Sequence, residues 1–260
     1  MNYISDVNDI RVAEFHQMKK LTVEGFYINQ CIADGDKVVS KAVNSNLNIL
    51  KILAKKEFIE QNYNILQDKI ADKNIFYSDK EILSQIVGFQ LHTGVMALIE
   101  IPKETDINTF GNNIVVTNNI EKAENIGSII RSGVGFGFHS YMFDSRSCHP
   151  FNRKSVRVSM GAAFNIDYHI CNDLIECLEQ LRNIGYRIIA LELDEQSIPL
   201  NKYQFPEKSA LVFGSEARGI EKNVLDYVDS IIEIPISHNI DSLNVNISSA
   251  IVFNHIYNSV

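Results

Sequence analysis

Only four cysteines occur in the 260 residues, Cys31, Cys148, Cys171 and Cys177, and none stands in a CxxC pair. That scarcity excludes a disulfide framework and a zinc set of the usual ligand spacing. His139 and His149 flank Cys148 too irregularly to make a metal set, so no metal is expected. Ordinary reduced thiols of a cytoplasmic protein are expected instead. No stretch approaches the roughly 18 uninterrupted apolar residues of a membrane helix. The start, Met1-Asn2-Tyr3-Ile4-Ser5-Asp6, lacks the basic and apolar regions of a secretory signal. Membrane and secreted classes are therefore not expected. Basic residues are also in deficit: 24 Lys and Arg against 32 Asp and Glu leave a net charge of −8. That balance excludes non-specific coating of nucleic acid, which needs an extended basic surface. No internal repeat and no low-complexity segment interrupts the chain.

What is present is an ordinary globular composition, 45% apolar and 22% charged, on a chain long enough to bury a large core. The pattern changes near Pro102. Before it, residues 9–21 read as a helix, 25–28 as a strand, and Asp34 or Asp36 as the cap of a helix through Val43. Leu47–Leu53 reads as a strand followed by a basic turn at Lys55-Lys56. Helices at 58–69 and 79–86 and strands at 74–77 and 94–99 complete a small α/β domain, residues 1–104 with its linker. After it, apolar strands at 114–117, 140–143, 187–193, 210–213 and 231–236 alternate with helices at 123–136, 153–160, 172–184, 221–227 and 244–258. Short apolar strands separated by helices predict a parallel sheet covered on both faces over 105–260. Ligands of such sheets sit outside the carboxyl ends of the strands.

Three polar stretches follow strands. In the first, Asn118 to Gly133, Asn125 and Arg131 can converge if Asn125 lies in a loop or first turn. A guanidinium there suits a phosphate or carboxylate, while a capping Asn and a surface Arg explain the same residues. In the second, Leu211 to Ile220, Gly214 lets a ligand or another chain segment approach the strand end, and Glu216 can order the turn. A plain βα turn is the alternative. In the third, Ile234 to Asn246, the row Ser242, Asn244 and Asn246 is richer than helix capping needs. A local basic run, Arg146, Arg153, Lys154 and Arg157, falls in a segment free of acidic residues between Asp144 and Asp167. The glycines of Gly133-Val134-Gly135-Phe136-Gly137 follow a helix and precede a strand. That order reads as a helix end and turn, not as a dinucleotide loop.

Together, in this order and spacing, the three stretches resemble the motifs of the SpoU family of RNA ribose methyltransferases in the knotted SPOUT superfamily. The resemblance covers residues 112–260. Less specifically it reaches residues 1–100, which look like the RNA substrate-binding domain found in front of the catalytic one, with Gln90-Leu91-His92-Thr93-Gly94-Val95 before its last strand. It implies a trefoil-knotted catalytic SPOUT domain at 105–260, a homodimer, and transfer of a methyl group from S-adenosylmethionine to a ribose 2′-hydroxyl. Ribosomal RNA is favoured over transfer RNA. The alternative class, a non-catalytic RNA-binding assembly factor, is disfavoured because Arg131, Asn244 and Gly214 are all present. The resemblance gives catalytic work to Arg131, supported by Asn125, Glu216, Ser242 and Asn244. It gives the methyl donor to Gly214, Ile234 and Leu243. The basic run at Arg146, Arg153, Lys154 and Arg157 is expected to meet RNA phosphates. Whether Arg131 takes the hydroxyl proton itself, or grips phosphate while water takes it, stays open. Asn246 and Ala217 replace the more usual serine and glycine of their motifs, which bears on fine specificity.

Overall fold

The computed structural model describes residues 1–16, 29–91, 94–237, 240 and 242–259. The strand expected at 25–28, most of the second half of the helix expected at 9–21, and His92, Thr93, His238, Asn239 and Asp241 lie outside the described residues. The chain forms two compact units, Met1–Pro102 with Phe151–Phe164, and Lys103–Pro150 with Asn165–Val260. The change at Pro102 thus falls where one unit gives way to the other, but residues 151–164 return to the first.

The first unit carries β1 (Asn2–Tyr3), β2 (Gln30–Asp34), α1 (Asp36–Val43), β3 (Ile49–Ala54), α2 (Lys56–Lys69), β4 (Ile75–Tyr77), α3 (Lys80–Val87) and β5 (Val95–Glu100). Its sheet runs β1-β4-β3-β5-β2, with β5 antiparallel to both neighbours. Val12, Phe15, Leu53, Phe76, Leu83 and Met96 share its core. Residues 10–15 form a short 3-10 helix rather than the start of an α-helix, with Asp9 accepting from the Arg11 amide.

Neither Asp34 nor Asp36 caps α1. The cap is Gly35, at φ 101°, a backbone that suits glycine. Asp34 is instead 5% exposed. Arg153 Nη1 donates to its carboxylate at 2.8 Å, and Arg157 Nη1 lies 3.5 Å away. These arginines belong to the short helix Arg153–Val158, whose cap Asn152 accepts from the Lys154 amide. A buried carboxylate needs such partners, and the pair explains why 151–164 folds with the first unit. Asp34→Asn keeps the shape but removes the charge. It is expected to lower stability by about 1–3 kcal/mol, read as a lower urea midpoint; an unchanged midpoint would show the pair to be idle.

The second unit carries β6 (Asn113–Asn118), α4 (Ala123–Gly135), β7 (Ser140–Asp144), β8 (Asp167–Cys171), α6 (Leu174–Asn183), β9 (Arg187–Leu191), β10 (Ile198–Pro199), β11 (Ser209–Gly214), α7 (Lys222–Leu225), β12 (Ser230–Glu233) and α8 (Val245–Tyr257), while α5 (Arg153–Val158) belongs to the first. The seven strands run β10-β12-β9-β11-β6-β7-β8, all parallel. Ile114, Val116, Met142, Ile188, Ala190, Ala210 and Val212 pack beneath α6 on one face. The other face meets α4 and α8, where Phe253 lies against Phe138 at 4.5 Å and Phe213 at 5.6 Å between ring centres.

Gly133 is a contact residue of that face. A Cβ there would collide with the Tyr141 hydroxyl and lie 3.3 Å from the Phe253 ring. Gly137, at φ 83°, makes the turn into β7. The glycine cluster therefore serves helix packing and a turn. Gly133→Ala is expected to cost about 1–3 kcal/mol by overpacking, partly recovered when Tyr141→Phe removes the hydroxyl. Gly135→Ala meets nothing within 4 Å and serves as the tolerated control. Equal melting temperatures for the two alanine variants would refute this packing role.

Candidate functional site

Three strand ends and the loop before α8 enclose a cavity of about 180 Å3 in the second unit. Its walls include Leu191 at the end of β9, Gly214 at the end of β11, Ile234 just past β12, and Leu243 before α8. Parallel strands all present their carboxyl ends on one side, which is why loops distant in sequence meet there. Apolar walls from Leu191, Phe213, Ile234 and Leu243 stand beside the carboxylates Glu192, Glu216 and Glu233.

The turn after β11 forms one wall. Ser215 and Gly219 exchange backbone hydrogen bonds, Gly219 N to Ser215 O at 2.9 Å and Ser215 N to Gly219 O at 3.2 Å. The Ser215 hydroxyl accepts from the Arg218 amide at 3.2 Å. A Cβ on Gly214 would stand 2.5 Å from Ile220 N and 2.6 Å from Gly219 O. The space beside Gly214 is thus filled by the backbone of its own turn, so the glycine is required by close approach. Glu192 braces the same turn, its Oε2 accepting from Ile220 N at 2.9 Å.

Glu216 accepts a short hydrogen bond from Lys122, the cap residue of α4, which ties the second polar stretch to the first. Beneath them the fully buried Asn118 accepts from the Glu221 amide at 2.9 Å and donates to its carboxylate at 3.3 Å. Arg146 Nη1 donates to Glu221 Oε1 at 2.6 Å and holds that carboxyl below the ordinary range. Asp144, 4% exposed, accepts from the amides of Asn119 and Ser147, each at 3.0 Å. The loops after β6, β7 and β11 are therefore held by polar pairs anchored on the buried Asn118 and Asp144, which is what preorganising a ligand wall requires.

The structure brings Gly214, Ile234, Leu243, Glu216 and Ser242 to this one cavity. Asn244 does not line it; its Oδ1 caps α8 by accepting from Asn246 N at 3.1 Å. Asn125 and Arg131 both fall within α4, six residues or about one and two-thirds turns apart. They therefore point to different sides. Asn125 is buried and Arg131 is exposed, and neither lines the cavity. Arg131 makes no hydrogen bond or ion pair with a described residue. The basic run is divided between the units: Arg146 pairs with Glu221 in the second, and Arg153 and Arg157 pair with Asp34 in the first, while Lys154 is exposed. Among the described residues no group of His, Cys, Asp and Glu is placed to hold a metal, and no helix is long and apolar enough to cross a membrane.

Glu192, Glu221 and Asn118 were not singled out by sequence reasoning. Glu192 carried a signal: an acid at the end of an otherwise apolar strand, 187–193, needs a partner. Asn118 and Glu221 are far apart in sequence, and nothing local announces their pairing.

A parallel α/β sheet with a small-ligand cavity built from its carboxyl-end loops defines a cofactor-binding protein of the α/β class. The model of the SpoU rRNA Methylase family matches residues 112–254. The chain belongs to this family. It is 27% identical over 230 residues to an uncharacterized tRNA/rRNA methyltransferase of Mycobacterium bovis, covering 85% of this chain and 78% of that protein. It is 24% identical over 194 residues to the 23S rRNA (guanosine-2′-O-)-methyltransferase of Neisseria meningitidis, covering 71% and 77%. In fold it resembles an AdoMet-bound rRNA methyltransferase from Sinorhizobium meliloti, with a TM-score of 0.85 at 19% identity over 100% of this chain and 98% of that one.

Proposed function

We propose that the protein transfers a methyl group from S-adenosylmethionine to a ribose 2′-hydroxyl of RNA, ribosomal RNA before transfer RNA. The observation that carries this reading is the convergence of Gly214, Ile234, Leu243, Glu216 and Ser242 on one cavity. The methyl donor is expected there, and the residues present fit it. Leu191, Phe213 and Leu243 offer apolar walls to a purine, and strand-end backbone groups can read its edge. Glu192, Glu216 and Glu233 are negative beside a ligand that carries sulfonium and ammonium charges.

The donor supplies an already activated methyl group, so the chain's task is alignment and removal of one proton. Gly214, Ile234 and Leu243 would hold the donor, its methyl would be exchanged from sulfur to the ribose oxygen, and the hydroxyl proton would pass to water. A guanidinium is not deprotonated near neutral pH. The reading therefore assigns Arg131 the grip on the target phosphate and the stabilisation of the forming alkoxide. Asn125 orients the nucleotide, Ser242 and Asn244 support the ribose and the loop before α8, and Glu216 with Lys122 keeps the second stretch in shape. Residues 1–104 select the RNA, and the exposed Lys154 of the basic run contacts its phosphates.

A homodimer and a trefoil knot in 105–260 belong to this reading. The outer face of α8 exposes Ile247, Ile251 and Tyr257 at 51, 36 and 60%, and an open groove between it and α4 is lined by Ser128, Ser132 and Phe136. Such an apolar patch supports a covering second copy. Mapping ribose methylation in RNA from cells with and without the protein tests the whole reading. Loss of one ribose methyl in ribosomal RNA is the expected result; loss in transfer RNA alone would move the target, and no loss in either would refute the activity.

A further inference from the structure

The first unit holds a second cavity, of about 500 Å3, where the carboxyl ends of the parallel strands β1, β4 and β3 meet the starts of α2 and α3. Its size is that of a nucleotide-scale ligand site. Lys55, Lys56 and Lys80 line it with Tyr3, Tyr77 and Asp79.

The side-chain chemistry is that of a nucleotide site. Lys55 and Lys80 make no ion pair with a described residue, and Lys56 meets only Glu60, in a pair with both side chains more than half exposed. Such a pair contributes little, so three ammonium groups stand available at one rim. The caps of α2 and α3, Lys55 and Asp79, make no side-chain capping bond, which leaves first-turn amides to favour an anion beside those lysines. Tyr3 is 45% exposed, with its ring centre 5.4 Å from that of Tyr77. Its hydroxyl donates to Asp79 at 3.0 Å, which fixes an exposed aromatic face. An aromatic face beside cations is how single-stranded nucleic acid is held without an extended basic surface. That accords with a chain whose net charge is −8.

We propose that this cavity binds an unpaired nucleotide of the RNA substrate, its phosphate on Lys55, Lys56 and Lys80 and its base against Tyr3 and Tyr77. The carboxylates Asp36, Glu57 and Asp79 also line the cavity and accept from base amino and imino groups. The proposal rests on the RNA methyltransferase reading and gives it a substrate-selecting site.

The test uses the full chain, a fluorescent single-stranded RNA of mixed sequence, and the variant Lys56→Glu/Lys80→Glu. Both substitutions put a carboxylate in the first turn of a helix, where it is electrostatically favoured, so the melting temperature should hold. The expected result is a dissociation constant raised at least about tenfold, with the salt slope reduced by about 1.4 for two lost phosphate contacts on a single strand. Wild-type protein irradiated with thiouridine-substituted RNA should carry adducts on Tyr3 or Tyr77, a readout that needs no variant. Equal affinity of variant and wild type, adducts only outside the cavity, or no binding by wild type would each overturn the proposal. Calorimetry with S-adenosylmethionine separates it from the parent reading. Donor binding with unaltered RNA binding in the variant refutes the cavity alone. RNA held in the cavity without donor binding refutes the methyltransferase reading and leaves the cavity standing.

Discussion

Arg131→Ala is expected to slow methyl transfer by about a hundred- to a thousandfold, the loss typical of removing a group that stabilises developing negative charge. Donor affinity should stay within about twofold, because Arg131 does not line the donor cavity and a 1.4 kcal/mol change would be needed for tenfold. The fold should also hold. Arg131 is an exposed residue of α4, and alanine is the best helix former. A single-turnover assay with calorimetry on the same preparation gives both numbers. Turnover within a few fold of wild type would remove Arg131 from catalysis.

Gly214→Val is expected to lower both stability and donor affinity. Two backbone atoms, Ile220 N and Gly219 O, stand 2.5 and 2.6 Å from where a Cβ would go. Backbone cannot rotate aside as a side chain can, so the Ser215–Gly219 turn must open. Overpacking of this kind costs on the order of 1–3 kcal/mol. Because that turn is also a wall of the cavity, donor affinity should fall by roughly tenfold to a hundredfold. A lower melting temperature with unchanged donor affinity in the folded protein would leave Gly214 a turn glycine only.

The parallel sheet of the second unit was readable because β6, β7, β9, β11 and β12 are short apolar runs between helices. Two edge strands were not. β8 is Asp-Tyr-His-Ile-Cys, too polar to read as buried, and it pairs only with β7. β10 contains Pro199, tolerable at an edge. The change at Pro102 was visible in composition, but the return of 151–164 to the first unit was not. That return depends on Asp34 meeting Arg153 and Arg157, pairs more than a hundred residues apart. The same pairing means that deleting residues 1–100 strips the partner from two arginines, so a 105–260 fragment is not a clean catalytic unit. Within the site, Gly214, Ile234, Ser242 and Leu243 line one cavity because strand ends converge in any parallel sheet; their grouping in the sequence came from the family resemblance and not from spacing. Asn125 lies in the first turn of α4, which begins at Ala123, yet six residues of helix set Arg131 about 120° around the axis from it.

The most direct test of the central claim is transfer of labelled methyl from S-adenosylmethionine to RNA by the purified full chain, followed by digestion to nucleosides. The account predicts label in a 2′-O-methylated nucleoside, lost with Arg131→Ala. Label in a base-methylated nucleoside, or none in ribosomal or transfer RNA while the donor binds, would contradict it.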